Sequence, residues 1–122
     1  MSEDHLTVVI RGLEAFGHHG VLAAETALGQ RFVVDVELAL IHSVATATDD
    51  LADTVDYASL ADAIVEIVTG PPVALLERLA GAIADRVLRD PAVREVVVTV
   101  HKPHVALPHT VEETAVTLRR GR

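Results

Sequence analysis

The segment Gln30-Arg31-Phe32-Val33-Val34-Asp35-Val36-Glu37-Leu38-Ala39-Leu40-Ile41-His42 decides the fold of this chain. Its apolar residues recur at every second position, so they would lie on one face of an extended strand. The apolar positions are Phe32, Val34, Val36, Leu38 and Leu40, and the opposite positions are Val33, Asp35, Glu37 and Ala39. The segment therefore predicts a long strand with one face in the core.

A second alternating segment precedes this strand. From residue 5 to residue 16 the apolar side chains again favour one face, which predicts a half-buried strand. The turn Gly17-His18-His19-Gly20 breaks the pattern, and residues 21–28 have room for a short helical turn that Gly29 would end. These two strands predict a hairpin with a long connecting loop.

Two helices are predicted in the middle of the chain, after a polar connection over residues 43–57. Apolar residues repeat with helical spacing over residues 58–69, and Pro71 and Pro72 would stop this helix. A second, longer helix is expected over about residues 73–88, with an ion pair between Asp85 and Arg89 one turn apart.

Two further strands complete the chain. Residues 93–102 alternate again, residues 103–108 form a loop with a proline at each end, and residues 111–120 form the last strand. The element order is ββααββ, which is an α+β fold. Hairpins at both ends predict a four-stranded antiparallel sheet with the two helices on one face, within a single domain over residues 1–122.

The uncovered face of the predicted sheet is polar. Its positions are Arg11, Asp35, Glu37, Thr99, His101, Thr117 and Arg119. Such a face tolerates water, but the long apolar edge strands are a hazard in a free monomer. Closing several sheets into a ring would remove those edges, so we expect a homo-oligomer.

Composition excludes several functional classes. The chain has 122 residues, 50% of them hydrophobic, with no cysteine and a net charge of −8. The missing cysteines exclude disulfides and thiolate metal sites, and the charge disfavours non-specific binding to nucleic acid or anionic membrane. No apolar run approaches the roughly 20 residues of a membrane helix. The acidic segment Met1-Ser2-Glu3-Asp4 is unlike a secretory signal, so a cytoplasmic protein is expected.

Glu77 stands out because it places a carboxylate among apolar residues, in the stretch Ala74-Leu75-Leu76-Glu77-Arg78-Leu79-Ala80. Spacing alone leaves two interpretations open. The positive end of the helix dipole stabilises a first-turn acid, and the same acid is suited to anchor a ligand. A similar choice, between an ordinary surface or packed side chain and a functional one, applies to three other residues. They are Lys102, Tyr57 and Glu25.

Five segments in this order resemble dihydroneopterin aldolase, the folate-pathway enzyme of the tunnelling fold. They are Gly17-His18-His19-Gly20 with Glu25 following, Gly29-Gln30-Arg31-Phe32, Asp53-Thr54-Val55-Asp56-Tyr57, Leu75-Leu76-Glu77, and His101-Lys102-Pro103 with Pro108. Each segment is weak alone, but the ordered set covers the chain from about Leu6 to Arg119. The resemblance implies the tunnelling fold (T-fold), with four-subunit rings that close into a β-barrel and often stack into octamers. It also implies sites at subunit boundaries.

The family resembled here carries out a retro-aldol cleavage. Its members split 7,8-dihydroneopterin into 6-hydroxymethyl-7,8-dihydropterin and glycolaldehyde, and they also epimerise the side chain. The resemblance implies neither metal nor cofactor, because a C=N bond of the dihydropterin ring acts as the electron sink. The protein then has to hold the ring, move protons and exclude water.

Motif by motif, the resemblance implies roles for four side chains. Lys102, Tyr57 and Glu25 are the predicted catalytic residues, and Tyr57 and Glu25 also contact the substrate. Lys102 would act near the ring nitrogen through a water, and Tyr57 would exchange a proton with the side-chain hydroxyl. Glu77 would accept two parallel hydrogen bonds from the pterin amino group and ring N–H. Backbone groups near three more residues would bind the remaining ring positions: Leu76, Val55 and Leu22.

Three alternatives are open at this point. Zinc bound by histidines, as in pyruvoyl-tetrahydropterin synthases, is disfavoured because His18 and His19 are adjacent on a turn. A dihydroneopterin triphosphate epimerase would need a basic patch, which the net charge of −8 disfavours. A non-catalytic pterin-binding assembly subunit would be favoured only if Lys102 or Tyr57 were replaced.

Ala74 and His109 depart from residues frequent in relatives, and leave substrate preference open.

Overall fold

The computed structural model describes residues 4–122. Residues 1–3, part of the acidic segment discussed above, lie outside the described residues. The strands are β1 (Thr7–Gly17), β2 (Gln30–Leu40), β3 (Val93–Lys102) and β4 (Thr114–Gly121). The helices are α1 (Ala23–Leu28), α2 (Ala45–Thr48), α3 (Tyr57–Thr69) and α4 (Leu76–Val87), and a 3₁₀ turn covers Leu51–Asp53.

The strands form one four-stranded antiparallel sheet in the order β1-β2-β3-β4. Val36 of β2 lies opposite Ile10 of β1 and Val98 of β3, and Val98 lies opposite Leu118 of β4. These inward-facing residues form a row across the sheet, where neighbouring side chains stabilise each other. The register shifts at a bulge between Ile10 and Leu13. The predicted α+β fold with its four-stranded antiparallel sheet is confirmed.

The core lies between the inward face of the sheet and the helix pair formed by α3 and α4. Helix α3 packs on β1, and α4 packs on β3 and β4. All five apolar positions that the pattern of β2 assigned to one face are buried. Their helical partners are Leu60, Ile64 and Val68 of α3 and Leu79, Ala80, Ile83, Ala84 and Val87 of α4. Fully burying one Val, Leu or Ile contributes roughly 1.5–3 kcal/mol, so this layer dominates stability.

Two predictions about α4 are wrong. The helix begins at Leu76 instead of residue 73, because Val73 uses both its backbone N–H and its carbonyl in bonds to the turn over residues 17–20. Asp85 pairs with Arg120 of β4 at 2.6 Å instead of with Arg89. The arginine on the strand is available because α4 packs against β4.

The connection over residues 43–57 has more local structure than the sequence indicated. It contains α2 and the 3₁₀ turn, where the Asp50 carboxylate accepts from the Ala52 N–H at 3.0 Å. The Thr48 hydroxyl donates to the Asp53 carboxylate at 2.7 Å. Such short polar bonds produce turns without any hydrophobic period. Strand β4 also begins later than predicted, at Thr114 instead of residue 111.

The antiparallel helix pair gives the molecule two ends. The start of α3 lies beside the end of α4, where Val55, Leu60, Arg86 and Val87 line one small cavity of about 130 Å³. At the other end, the loop over residues 70–75 meets the turn over residues 17–20. No helix within residues 4–122 has both the length and the apolar character to cross a membrane.

Candidate functional site

An ion pair between Glu25 and Lys102 forms the centre of the candidate site. Glu25 lies on α1, and Lys102 is the last residue of β3. The Lys102 Nζ contacts the Glu25 carboxylate, and the two side chains are only 12% and 9% exposed. The sequence contains no other lysine. The structure therefore brings together two of the three predicted catalytic residues.

The Glu25 carboxylate has two further donors. The Leu22 backbone N–H donates to one oxygen at 3.3 Å, and the Gln30 side-chain amide donates to the other at 3.1 Å. Burial raises the pKa of Glu25, but the bonds from Lys102, Leu22 and Gln30 outweigh burial and lower the pKa below its ordinary value. The carboxylate is thus held in its charged form beside the lysine.

Gly20 allows this carboxylate to approach the backbone. A Cβ atom at residue 20 would lie 2.5 Å from the Glu25 carboxylate, and φ of Gly20 is +151°, a conformation that favours glycine. The Gln30 amide oxygen is buried next to the same carboxylate and has no hydrogen-bond partner within residues 4–122. An unpaired buried acceptor costs free energy, so this region is not optimised for stability alone.

Glu77 lies near this centre without touching it. It occupies the first turn of α4, is exposed, and bonds to no side chain within the described part of the chain. The Gly20 N–H donates to the Val73 carbonyl at 3.0 Å, which attaches the loop before α4 to the turn before α1. We call the region of Glu25, Lys102 and Glu77 the Lys102 end of the molecule. Leu76 and Leu22 lie at the same end, at the starts of α4 and α1.

Tyr57 and Val55 lie at the opposite end of the helix pair, which we call the Tyr57 end. Tyr57 is the first residue of α3 and is 64% exposed, whereas Val55 is 3% exposed. The Asp56 carboxylate caps this helix by accepting from the Ser59 N–H at 3.1 Å. Helix α3 has 13 residues, which corresponds to about 20 Å along its axis. Within one chain, the predicted site residues therefore form two groups.

The ring nitrogens of two histidines near the candidate site already have protein partners. His19 bonds to Val68 and Val73, and His101 bonds to Asp35 and Glu113. Within residues 4–122, no group of three His, Cys, Asp or Glu side chains is arranged to hold a metal ion.

The most voluminous of the three cavities described for this chain lies away from the Lys102 end. It is a groove of about 590 Å³ between α3 and α4, lined by Glu66, Arg78, Asp85, Arg86 and Arg89 among others. Neither Lys102 nor Glu77 lines any of these three cavities. In a single chain, the Lys102 end combines the exposed Glu77 with an ion pair whose side chains are mostly buried.

Sequence reasoning missed two contributors to this region. Gln30 and His19 both lie in segments that carried the family resemblance, but spacing indicates no contact for either. The Gln30 amide contacts Glu25, and the His19 ring is 1% exposed. The only signal was their presence in short glycine-containing motifs, since burial depends on packing with distant residues.

Solved structures share this architecture. Escherichia coli dihydroneopterin aldolase in complex with neopterin matches with a TM-score of 0.85 at 30% identity, covering 94% of this chain and 98% of that chain. Dihydroneopterin aldolase from Burkholderia thailandensis, bound to guanine, matches with a TM-score of 0.78 at 28% identity, covering 98% of this chain and 93% of that chain. The protein is therefore a member of the tunnelling-fold class.

The family follows from the sequence comparison. The family model FolB, dihydroneopterin aldolase, matches residues 8–119. The dihydroneopterin aldolase of Streptomyces coelicolor is 45% identical over 115 residues, which are 94% of this chain and 97% of that protein. This chain belongs to the dihydroneopterin aldolase family, the lyases of folate biosynthesis. The resemblance inferred from the five motifs is confirmed.

Proposed function

We propose that this protein is a dihydroneopterin aldolase that cleaves 7,8-dihydroneopterin into 6-hydroxymethyl-7,8-dihydropterin and glycolaldehyde. The family match over residues 8–119 carries the proposal. The buried pair of Glu25 and Lys102 supports it, because retro-aldol chemistry on this substrate needs proton transfer at fixed distances. Epimerisation of the side chain is proposed as a second reaction of the same site.

In the proposed cleavage, the substrate's own C=N bond takes up the electrons of the broken bond. Tyr57 takes up the proton of the side-chain hydroxyl and passes its own phenolic proton to water, as the hydroxyl-bearing carbon leaves as an aldehyde. The electron pair of the C–C bond moves towards the ring nitrogen, which gains a proton from Lys102 through a water. The side-chain carbon that stays on the ring then gains a proton, and the ring nitrogen returns its proton through the water to Lys102. These two transfers restore the C=N bond and the starting state of the lysine. Glu25 holds the Lys102 side chain in place through their ion pair. The Glu25 carboxylate is also proposed to contact the substrate side chain.

Glu77 is proposed to anchor the pterin ring. Its carboxylate is exposed and bonds to no described side chain, so both oxygens are available for the ring amino group and N–H. Such paired acceptors reject analogues that lack either donor. Backbone groups near Leu76, Leu22 and Val55 are proposed to bind the remaining polar positions of the ring.

The complete site is proposed to form between two subunits. The axial length of α3 separates Tyr57 from Glu77 within one chain, and a single pterin cannot contact both. Strands β1 and β4 are the free edges of the sheet, and edge pairing between copies would remove them. We propose a ring of four subunits with a β-barrel centre, alone or stacked as an octamer. A cytoplasmic location belongs to the same proposal, since a chain without cysteine suits a reducing compartment.

The test is a product assay on 7,8-dihydroneopterin with and without EDTA. We expect equal amounts of glycolaldehyde and 6-hydroxymethyl-7,8-dihydropterin, unaffected by the chelator. An epimer without glycolaldehyde would indicate the epimerase alternative, and binding without conversion would indicate a non-catalytic subunit. Activity lost with EDTA and restored by zinc would overturn the metal-free mechanism.

A further inference from the structure

The turn Gly17-His18-His19-Gly20 has no chemical role in the proposed reaction, yet its second histidine is among the most buried residues of the molecule. His19 is 1% exposed. Its ring packs edge-on against Phe32 of the core, with ring centroids 5.3 Å apart. A buried imidazole needs partners for both ring nitrogens, and here both partners are backbone groups, one at the end of α3 and the other in the loop before α4.

The two bonds of His19 reach the end of α3 and the loop before α4. The Val73 N–H donates to Nδ1 at 3.0 Å, so Nδ1 is the acceptor. Nε2 is then the donor to the Val68 carbonyl, at 2.7 Å. The adjacent Gly20 N–H donates to the Val73 carbonyl at 3.0 Å. Residues 19 and 20 thus hold both backbone polar groups of Val73.

Gly17 is required for this arrangement. A Cβ atom at residue 17 would lie 2.6 Å from the Val68 carbonyl oxygen and 2.8 Å from Cδ2 of His19. Any side chain there would push the ring away from α3. The sequence of the turn is therefore matched to the His19 bond and not only to reversal of the chain.

These contacts form a continuous connection between the two halves of the Lys102 end. The Glu25 carboxylate lies against Gly20, Gly20 and His19 hold Val73, and α4 begins shortly after Val73 with Leu76. Only Ala74 and Leu75 separate Val73 from the start of α4, so fixing Val73 limits where the first turn of α4 can lie.

We infer that His19 is a positioning residue that fixes the first turn of α4, and with it the pterin-anchoring Glu77, relative to Glu25 and Lys102. The inference rests on the proposed function. Only the bond from Val73 bears on the position of Glu77, whereas the bond to Val68 joins the turn to α3. Loss of the Val73 bond should therefore change pterin binding, whereas loss of the Val68 bond should change only stability. If His19 only filled space in the core, losing either bond would have the same effect.

Two variants separate the two bonds. In His19→Asn, the amide occupies the place of Nδ1, so it keeps an acceptor for the Val73 N–H and loses the bond to Val68. In His19→Gln, the amide reaches the place of Nε2, so it keeps the donor to Val68 and loses the acceptor for Val73. His5→Asn is the control, because His5 is exposed on the segment before β1.

Four quantities are measured on the assembled protein: backbone amide exchange over residues 73–79, neopterin affinity, steady-state kinetics and thermal midpoint. We expect His19→Gln to exchange faster over residues 73–79 and to bind neopterin about tenfold more weakly, since ångström-scale misplacement of a contact costs up to about 10²-fold. KM should rise more than kcat falls, because the pair of Glu25 and Lys102 stays intact. His19→Asn should bind neopterin as the wild type and the His5 control do, with a thermal midpoint as low as that of His19→Gln.

The inference is overturned if both variants lose neopterin affinity equally, or if affinity follows the thermal midpoint in both. It is also overturned if His19→Gln binds neopterin as the wild type does. Should His19→Gln fail to fold, weak binding by His19→Asn would be decisive against the inference. A wild-type protein that neither binds neopterin nor cleaves dihydroneopterin would instead refute the proposed function, whatever the exchange data show.

Discussion

The two ends of the helix pair differ in how far one chain completes its own chemistry. At the Lys102 end, the side chains of Glu25 and Lys102 pair with each other and are 9% and 12% exposed. At the Tyr57 end, Val55 is buried while Tyr57 beside it is 64% exposed. Two candidate site residues at the Lys102 end thus pair with each other, whereas the candidate residue Tyr57 presents its side chain to solvent.

This difference separates two physical requirements of the proposed reaction. Proton transfer needs fixed distances between groups, and packing within one chain fixes them most precisely. Enclosing a flat heterocycle needs groups on both sides of the ring, whereas the exposed Glu77 and Tyr57 lie at opposite ends of the helix pair. We therefore expect the Lys102 end to be sensitive to substitution within a subunit, and the Tyr57 end to act on a neighbouring subunit.

The largest effect is expected from Lys102. Lys102→Ala should lower kcat by about 10²-fold or more, because it removes the group proposed to move protons at the ring nitrogen. It also leaves the mostly buried Glu25 carboxylate without its cation, so Lys102→Arg is the matched variant. The guanidinium keeps the charge but stays protonated, so this variant should melt like the wild type and still lose kcat. An arginine variant with wild-type kcat would show that this end needs only a cation.

Glu77→Ala is expected to act on binding. Losing a charge-assisted acceptor costs about 1.5–3 kcal/mol, or roughly 10- to 150-fold in the dissociation constant of neopterin. Glu66→Ala is a control with the same chemical change, at an exposed position on α3. Titration of each variant with neopterin gives the comparison. An affinity of Glu77→Ala within twofold of wild type would mean that Glu77 only stabilises the start of its helix.

Mixing inactive subunits tests whether the two ends act across an interface. Tyr57→Phe and Glu77→Ala chains are unfolded together and reassembled in equal amounts. Roughly a quarter of the interfaces would then pair an intact Lys102 end with an intact Tyr57 end, so about a quarter of wild-type activity should return.

The control mixture combines Glu77→Ala with Lys102→Ala. Both substitutions damage the same end, so every Lys102 end in the assembly is defective and no activity should return. Equal recovery in the two mixtures, or an active species that sediments as a monomer, would contradict the shared site.

The smallest effect concerns His101, which precedes Lys102 on the open face of the sheet. Its Nε2 lies 2.7 Å from the Asp35 carboxylate, and its Nδ1 lies 2.9 Å from Glu113 in the loop after β3. Burial lowers the pKa of His101, but the hydrogen bonds and charges of Asp35 and Glu113 outweigh burial and raise it. Protonated His101 therefore stabilises the folded protein. This contribution is fully present below the unfolded-state pKa of about 6.5, and it is lost as pH rises through the higher folded-state pKa.

His101→Gln tests this dependence. The variant should be less stable than wild type by roughly 1 kcal/mol below about pH 6.5, and this difference should shrink as pH rises. Burial raises the pKa of Asp35, but the bonds from Gly12 and His101 and the charge of Arg11 lower it overall, so Asp35 titrates in a more acidic range. Urea unfolding across pH, with His5→Gln as control, measures the trend. A difference that grows towards alkaline pH would contradict the imidazolium interpretation.

Most of the fold was predictable because its signals are local. The alternation in residues 30–40 and the helical spacing in residues 76–87 each need only neighbouring positions to be recognised. Predictions were wrong where contacts with residues distant along the chain decide the local structure. Val73 is excluded from α4 by its bonds to His19 and Gly20, and Asp85 pairs with Arg120 across the helix–sheet interface.

For the site, the sequence by itself determined the family and the candidate residues, since ordered motifs survive without knowledge of contacts. Only the tertiary structure decided that Glu25 pairs with Lys102, that His19 holds Val73, and that Tyr57 lies at the opposite end from both. The physical reason is that these relations depend on how α1, β3 and the helix pair pack together. Packing brings together residues that are distant along the chain, and the local periodicity of the sequence does not predict which of them make contact.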